Sequence, residues 1–315
     1  MSKASRKENR ERLKQERLKE QRRAKRNKLL TVMAVALGVV ALIVGGGYFI
    51  ITSQANSTGN LVAERLSGWD KQLPPQTLQE DGSTVLAVED ASAPLVEVYA
   101  DYQCSHCADF EEANGELLNM LAAQGKAVLQ LRPVSIFAAG GPPAGTNSLR
   151  AGAAARAAAD YGKFVEYNQL LFANQPNGTA EGYSADELIA WGEELGITDA
   201  AFAERVRSEA GVVDAFAEYQ QSGDQGDDSF LAGSYVEQIL AATNAVKDRY
   251  EGPNAFGGTP SVYINGELYT GGIDNPIDLA DTIEAASPGE PDTRPQSTDD
   301  NSPSPSPTAN ETTEQ

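Results

Sequence analysis

DYQCSHCADF, residues 101–110, holds both cysteines and the only histidine of a 315-residue chain. Two cysteines separated by two residues close so small a ring that a purely structural staple adds little stability. Zinc binding through Cys104, Cys107 and His106 lacks a second Cys/His pair anywhere in the sequence, and a histidine between the cysteines is badly placed for the same ion. Haem attachment needs a histidine directly after the second cysteine, where this chain has Ala108. A redox dithiol needs a strand before the motif and a helix beginning at it.

That context is present. Pro94 to Ala100 (PLVEVYA) has the β-branched and aromatic character of a short buried strand. From Cys104 onward, Cys107, Phe110, Leu117, Leu118 and Leu121 recur at roughly helical intervals, with Asp109, Glu111 and Glu112 expected in the first turn. Cys104 then stands where the helix begins, and the positive end of the dipole favours a thiolate there. In that geometry Cys104 is the exposed nucleophile and Cys107, about one turn in, the shielded resolving thiol. His106 is placed to stabilise the Cys104 thiolate through a protonated imidazole. The chemistry calls for neither metal nor cofactor.

The pieces around the motif resemble the DsbA-like family of thiol–disulfide oxidoreductases. YADYQCSHCADFEE is similar to the family's active-site stretch, and FGGTPSVYING (Phe256 to Gly266) to the segment carrying its cis-proline, here Thr259-Pro260. Two intervening stretches, AGAAARAAADYGKFVEYNQLLFANQP and YSADELIAWGEELGITDAAFAERV, are similar to its inserted helices. The resemblance implies an α/β, thioredoxin-like fold interrupted by an all-helical insertion at about 140–225. It also implies that Thr259 and Pro260 keep the backbone beside Cys104 open, so that a substrate chain can pair there as an added strand.

The residues read alone agree with that outline. Thr84 to Val88 and Ala127 to Arg132 read as strands, and residues 148–173 are rich in Ala and Leu. Ser184 followed by Glu187 is a capping-box pattern, and Asn265-Gly266 is a two-residue hairpin turn between Ser261–Ile264 and Glu267–Tyr269. A closing helix is expected from about Pro276 to Ala286. One departure stands out. Thioredoxin-like enzymes commonly carry a buried acid six positions before the first cysteine, and here that position is Val98. Glu97, one residue away, falls on the opposite face by strand alternation. Either a register shift recovers Glu97, or proton transfer relies on water or another group.

The ends of the chain set the compartment. Residues 1–28 carry 13 Lys and Arg against four Glu, and residues 29–51 run without a charge. As a helix the latter would be roughly 34 Å long, enough to span a hydrocarbon core of about 30 Å. The basic flank holds the N-terminus in the cytoplasm and exports the rest. Cleavage as a signal peptide after Ser53-Gln54-Ala55 is the competing reading, although the apolar run is about twice as long as a signal core. Residues 52–82 read as an extracytoplasmic linker with a short amphipathic piece near Leu61 to Trp69, 83–286 as one compact domain, and 287–315 as a disordered Pro/Ser/Thr-rich tail. Beyond residue 28, 12 basic residues face 41 acidic ones, which argues against nucleic acid as a partner.

The leading expectation is therefore a single-pass, membrane-anchored oxidase that introduces disulfides into exported protein thiols and is reoxidised by a membrane redox partner. An extracytoplasmic reductase or isomerase is the alternative enzyme. A non-catalytic thioredoxin-like binding module is the alternative from another class.

Overall fold

Alternation along the central strands decides how this chain folds, because it gives the two faces of one sheet different chemistry. The computed structural model describes residues 58–222 and 227–289. The basic segment 1–28, the expected span at 29–51, residues 52–57, residues 223–226 of the GDQGDD loop and the tail from residue 290 lie outside the described residues. Among the described residues no helix is long and apolar enough to cross a membrane.

In chain order the elements are α1 (residues 58–66), β1 (Gln76–Leu78), β2 (Thr84–Leu86), β3 (Leu95–Ala100), α2 (Ser105–Ala123), β4 (Val128–Pro133), α3 (Ala144–Ala159), α4 (Phe164–Ala173), α5 (Ala185–Glu194), α6 (Ala200–Ser222), α7 (Tyr235–Arg249), β5 (Ser261–Ile264), β6 (Glu267–Leu268) and α8 (Pro276–Ala285). The six strands form one mixed sheet in the order β1-β2-β4-β3-β5-β6. Only β3 and β4 run parallel, as a β–α–β crossover through α2 requires, and the other neighbours are antiparallel.

On one face Val96, Val98, Leu129, Val262 and Ile264 pack in a single core with Cys107, Phe110, Leu117, Leu118 and Leu121 of α2 and with Leu279, Ala280 and Ile283 of α8. On the other face Tyr99 and Tyr263 meet Val246 and Tyr250, bringing α7 across the sheet. Here lies a buried ionic cluster: Glu97 accepts hydrogen bonds from Arg132 Nε (3.0 Å), Arg249 Nη2 (2.8 Å) and the Tyr250 hydroxyl (2.8 Å). Arg132 also pairs with Asp81. Burial of such charges is tolerable only when each is paired and hydrogen-bonded, which this cluster achieves.

Helices α3 to α6 sit between β4 and α7 in the chain. Alanines on one side of α3 join the main core with Phe164, Tyr167 and Leu171 of α4, while Leu149 and Ala153 on its other side meet Val213 of α6 and Val236 and Ile239 of α7. Small side chains let α3 be buried on both sides. The Ala- and Leu-rich stretch 148–173 is not continuous helix: it breaks at Gly162, whose φ of +64° suits glycine. The capping box at Ser184 forms as the sequence pattern indicates, with Glu187 N–H donating to Ser184 and the Glu187 carboxylate accepting from Ser184 N–H.

The described part of the expected linker, residues 58–82, is in part packed onto the domain. Leu66, Trp69, Leu73 and Leu78 pack against the main core, and β1 pairs with β2. The amphipathic piece near Leu61 to Trp69 coincides with α1 and the turn after it, while Leu73 and Leu78 carry no local signal and are placed by docking.

Candidate active site

Cys104 is the N-cap of α2, in extended conformation (φ −81°, ψ 116°), and its carbonyl accepts the amides of Cys107 (3.0 Å) and Ala108 (3.3 Å). The loop before it is braced from several sides. The Asp101 carboxylate accepts hydrogen bonds from Gln103 N–H (2.8 Å), Ser148 Oγ (2.7 Å) and Phe137 N–H (3.2 Å). Gln175, just after α4, donates from its side-chain amide to the carbonyls of Tyr102 (2.9 Å) and Cys104 (3.0 Å). The helical insertion thus holds the backbone on which the first cysteine sits.

Both cysteines are free thiols, in very different settings. Cys104 keeps 7% of its surface exposed, less open than expected for the nucleophile, and Cys107 keeps none. The Cys104 thiol is lowered from 9.0 to about 5, chiefly by a hydrogen bond from Cys107, then by the Thr259 side chain and the amides of Cys107 and His106. Cys107 moves the opposite way, pushed far above the ordinary thiol range by burial first and by the adjacent Cys104 second. One member of the pair is therefore ready as an anion at neutral pH while the other stays protonated.

The Thr259–Pro260 peptide is cis and lies beside the pair. As a thiol, Cys104 donates to the Thr259 carbonyl at 3.2 Å. The Thr259 hydroxyl is buried with no partner of its own among the described residues, and it supplies a donor once Cys104 is a thiolate. A second cis peptide, Pro142–Pro143, had no counterpart in the sequence reading.

His106 behaves differently from the expectation. Its side chain is 74% exposed, with Nδ1 3.7 Å from Asp109 Oδ2. What reaches the thiolate from this residue is its backbone amide. Helix α2 also begins at Ser105, so its first turn contains no acid and Asp109, Glu111 and Glu112 fall later. The dipole end is left to the thiolate alone.

The register also settles the matter of Glu97. It pairs in the sheet with Gln130 and Tyr263, and Val98 pairs with Leu131 and Val262, so no slip brings Glu97 to the Cys107 side. Two residues to which the sequence assigned no part in the site now matter. Asp101 braces the loop, and Glu111 lines the same small cavity as Cys107. The signal for Glu111 was its spacing: it stands four residues after Cys107, half-buried beside the apolar stripe of α2.

A dithiol split between one stabilised thiolate and one buried thiol, at the start of the helix that links two parallel central strands and beside a cis X–Pro bond, defines a thioredoxin-fold dithiol protein. Residues 82–285 match the family described as thioredoxin, and the chain belongs to that family. Among solved structures it is similar to the MdbA protein, a thiol-disulfide oxidoreductase from Corynebacterium diphtheriae, with 22% identity, a TM-score of 0.49, and coverage of 68% of this chain and 98% of that one. It is also similar to DsbG, a disulfide bond oxidoreductase from Mycobacterium tuberculosis (22% identity, TM-score 0.42, 62% and 80% covered). BdbD from Bacillus subtilis is a third (17% identity, TM-score 0.42, 67% and 95% covered). No curated protein sequence matches the chain.

Proposed function

We propose that this protein is a thiol–disulfide oxidoreductase working as an oxidase: its Cys104–Cys107 disulfide is passed to pairs of thiols on exported proteins. The supporting observation is the depressed Cys104 thiol, about 5 against 9.0. A thiolate stabilised at neutral pH favours the reduced enzyme, and whatever favours the reduced form makes the disulfide a stronger oxidant. Between pH 5 and 7 the preference amounts to about two powers of ten, or roughly 60 mV for a two-electron couple. Residues 29–51 anchor the chain with the basic N-terminus in the cytoplasm, and a membrane redox partner restores the disulfide; the uncharged run and its basic flank support this part.

The test is the reduction potential of the full chain, equilibrated with glutathione and read by counting free thiols. A value near about −120 mV supports disulfide donation, whereas one near about −270 mV makes the protein a reductase. Labelling of Cys104 on intact cells by a membrane-impermeant maleimide tests the topology, and failure to label until the cells are broken overturns it.

A further inference from the structure

A wholly buried thiol that stays protonated well beyond neutral pH cannot leave or attack as an anion without a group to exchange its proton with. The mechanism so far assigns none. Glu97 is on the far face of the sheet, bound to Arg132 and Arg249. Asp101 is buried near the pair and raised by that burial to about 6, yet its oxygens are occupied by backbone amides and the Ser148 hydroxyl, and it does not line the cavity beside Cys107.

That cavity is about 20 Å³, room for one water. Its walls include Val98, Tyr102, Cys107, Glu111, Arg132 and Asn168. Glu111 is the carboxyl among them, one helical turn, or about 6 Å, beyond Cys107 on the same face of α2. Its carboxylate lies against Gly115, one turn further along α2: a Cβ on that glycine would stand 2.5 Å from Glu111 Oε1. Gly115 is buried in the middle of α2, where glycine costs up to about 1 kcal/mol relative to alanine, and the space it leaves is the space this carboxylate occupies. From α4, Asn168 hydrogen-bonds the carboxylate and in turn accepts the Tyr102 hydroxyl at 2.9 Å. Arg132, from β4, is turned to Asp81 and Glu97. The titrating groups of the cavity are then Cys107, Tyr102 and Glu111, and Tyr102 is held far above its ordinary range by burial. Burial also raises Glu111, from 4.5 to about 7, so it both holds and releases a proton near neutrality.

We propose that Glu111 exchanges the proton of Cys107 through a single water in the cavity they share. The step rests on the oxidoreductase reading above and balances as follows. A substrate thiolate attacks Cys104 Sγ, the substrate–Cys104 bond forms, and the Cys104–Cys107 bond breaks with its electron pair on Cys107 Sγ. That sulfur takes a proton from the Glu111 carboxyl by way of the water. The second substrate thiolate then attacks the substrate sulfur of the mixed disulfide, and Cys104 leaves as a stable thiolate that needs no proton. Glu111 recovers its proton from solvent. On reoxidation the proton runs the other way, from Cys107 to the Glu111 carboxylate as Cys107 attacks the mixed disulfide formed at Cys104.

The test uses the oxidised full-length chain and dithiothreitol, with released thiols counted after acid quenching over a range of pH. The wild-type profile is expected to show an inflection near pH 7 from Glu111, besides the titration of dithiothreitol itself. Glu111→Gln is expected to lose that inflection and to slow the first exchange at least tenfold at neutral pH, while the alkylation profile of reduced Cys104 stays in place. Gly115→Ala keeps the carboxylate but displaces it, and is expected to slow exchange with no loss of thermal stability; it carries the test should Glu111→Gln fail to fold. Glu111→Asp should restore part of the rate. Fast wild-type exchange that is indifferent to both the Gln variant and Gly115→Ala overturns this proposal alone. Wild-type exchange no faster than that of an ordinary peptide disulfide overturns the oxidoreductase reading together with it.

Discussion

Replacing Cys107 with alanine isolates the interaction that contributes most to the acidity of Cys104. In the folded protein that thiol is lowered from 9.0 to about 5, with the Cys107 hydrogen bond the largest cause. A hydrogen bond to a charged group is worth about 1.5–3 kcal/mol, and at 1.36 kcal/mol per unit its loss raises the pKa by roughly 1–2 units. Cys107→Ala is therefore expected to titrate at about 6–7, the remainder of the depression being held by Thr259 and by the amides of residues 106 and 107. Cys107→Ser keeps a donor at the same place and should stay within about one unit of wild type. The assay is the rate of Cys104 alkylation by iodoacetamide as a function of pH, checked by thiolate absorbance. The folded value lies below the unfolded one, so the thiolate stabilises the reduced fold above the unfolded value and that contribution is lost as pH falls through about 5. Cys107 remains protonated there and contributes nothing in this window. Thermal melts of both reduced proteins should begin to lose this contribution as pH falls below the unfolded thiol value, but the loss should end at about 6–7 in Cys107→Ala and continue to about 5 in wild type, so that the variant loses less in total. An alanine variant that still titrates at about 5 refutes the reasoning, because backbone amides and the helix dipole would then account for the whole shift.

Other substitutions probe other parts of the structure. His106→Ala should move the Cys104 pKa by less than about half a unit, since the exposed imidazole meets Asp109 while the amide serves the thiolate; a larger rise in the same alkylation assay would return the role to the side chain. Glu97→Gln leaves Arg132 and Arg249 without their shared carboxylate and should cost about 3–5 kcal/mol in denaturant unfolding. Its Cys104 alkylation profile should stay unchanged, because the cluster lies across the sheet. Ser184→Ala removes the cap of α5 and should cost about 1 kcal/mol, also read by denaturant unfolding.

Local chemistry made much of this architecture legible. PLVEVYA before the cysteines, the capping box at Ser184 and the Asn265-Gly266 turn each carry their structural instruction within a few residues, and each forms. What stayed hidden depends on partners far away in the chain. Glu97 could be placed on the wrong face for Cys107 by alternation alone, but its partners lie 35 and 152 residues away, and no local pattern names them. Strand β1 is three residues of ordinary composition that become a strand by pairing with β2. Across residues 148–173 alanine and leucine carry a strong helix signal, and the turn at Gly162 gives a weaker one than the residues around it. Glu111 reads with Asp109 and Glu112 as part of an acidic first turn; the helix begins at Ser105, and Glu111, one turn beyond Cys107, is half-buried beside the apolar stripe. The brace from Gln175 to the active-site loop crosses 71 and 73 residues and had no sequence signature.

The two thiols are also the only two in the chain, set so that one is all but enclosed and the other wholly so. A protein with four cysteines can close in three ways and one with six in fifteen, but two cysteines admit one intramolecular pairing. A chain of this kind has no wrong internal bond to make while it is itself being oxidised, and nothing else in its fold is held by sulfur. The core, the tyrosine face and the ionic cluster are joined by packing and hydrogen bonds alone, so opening that one bond removes no cross-link from them.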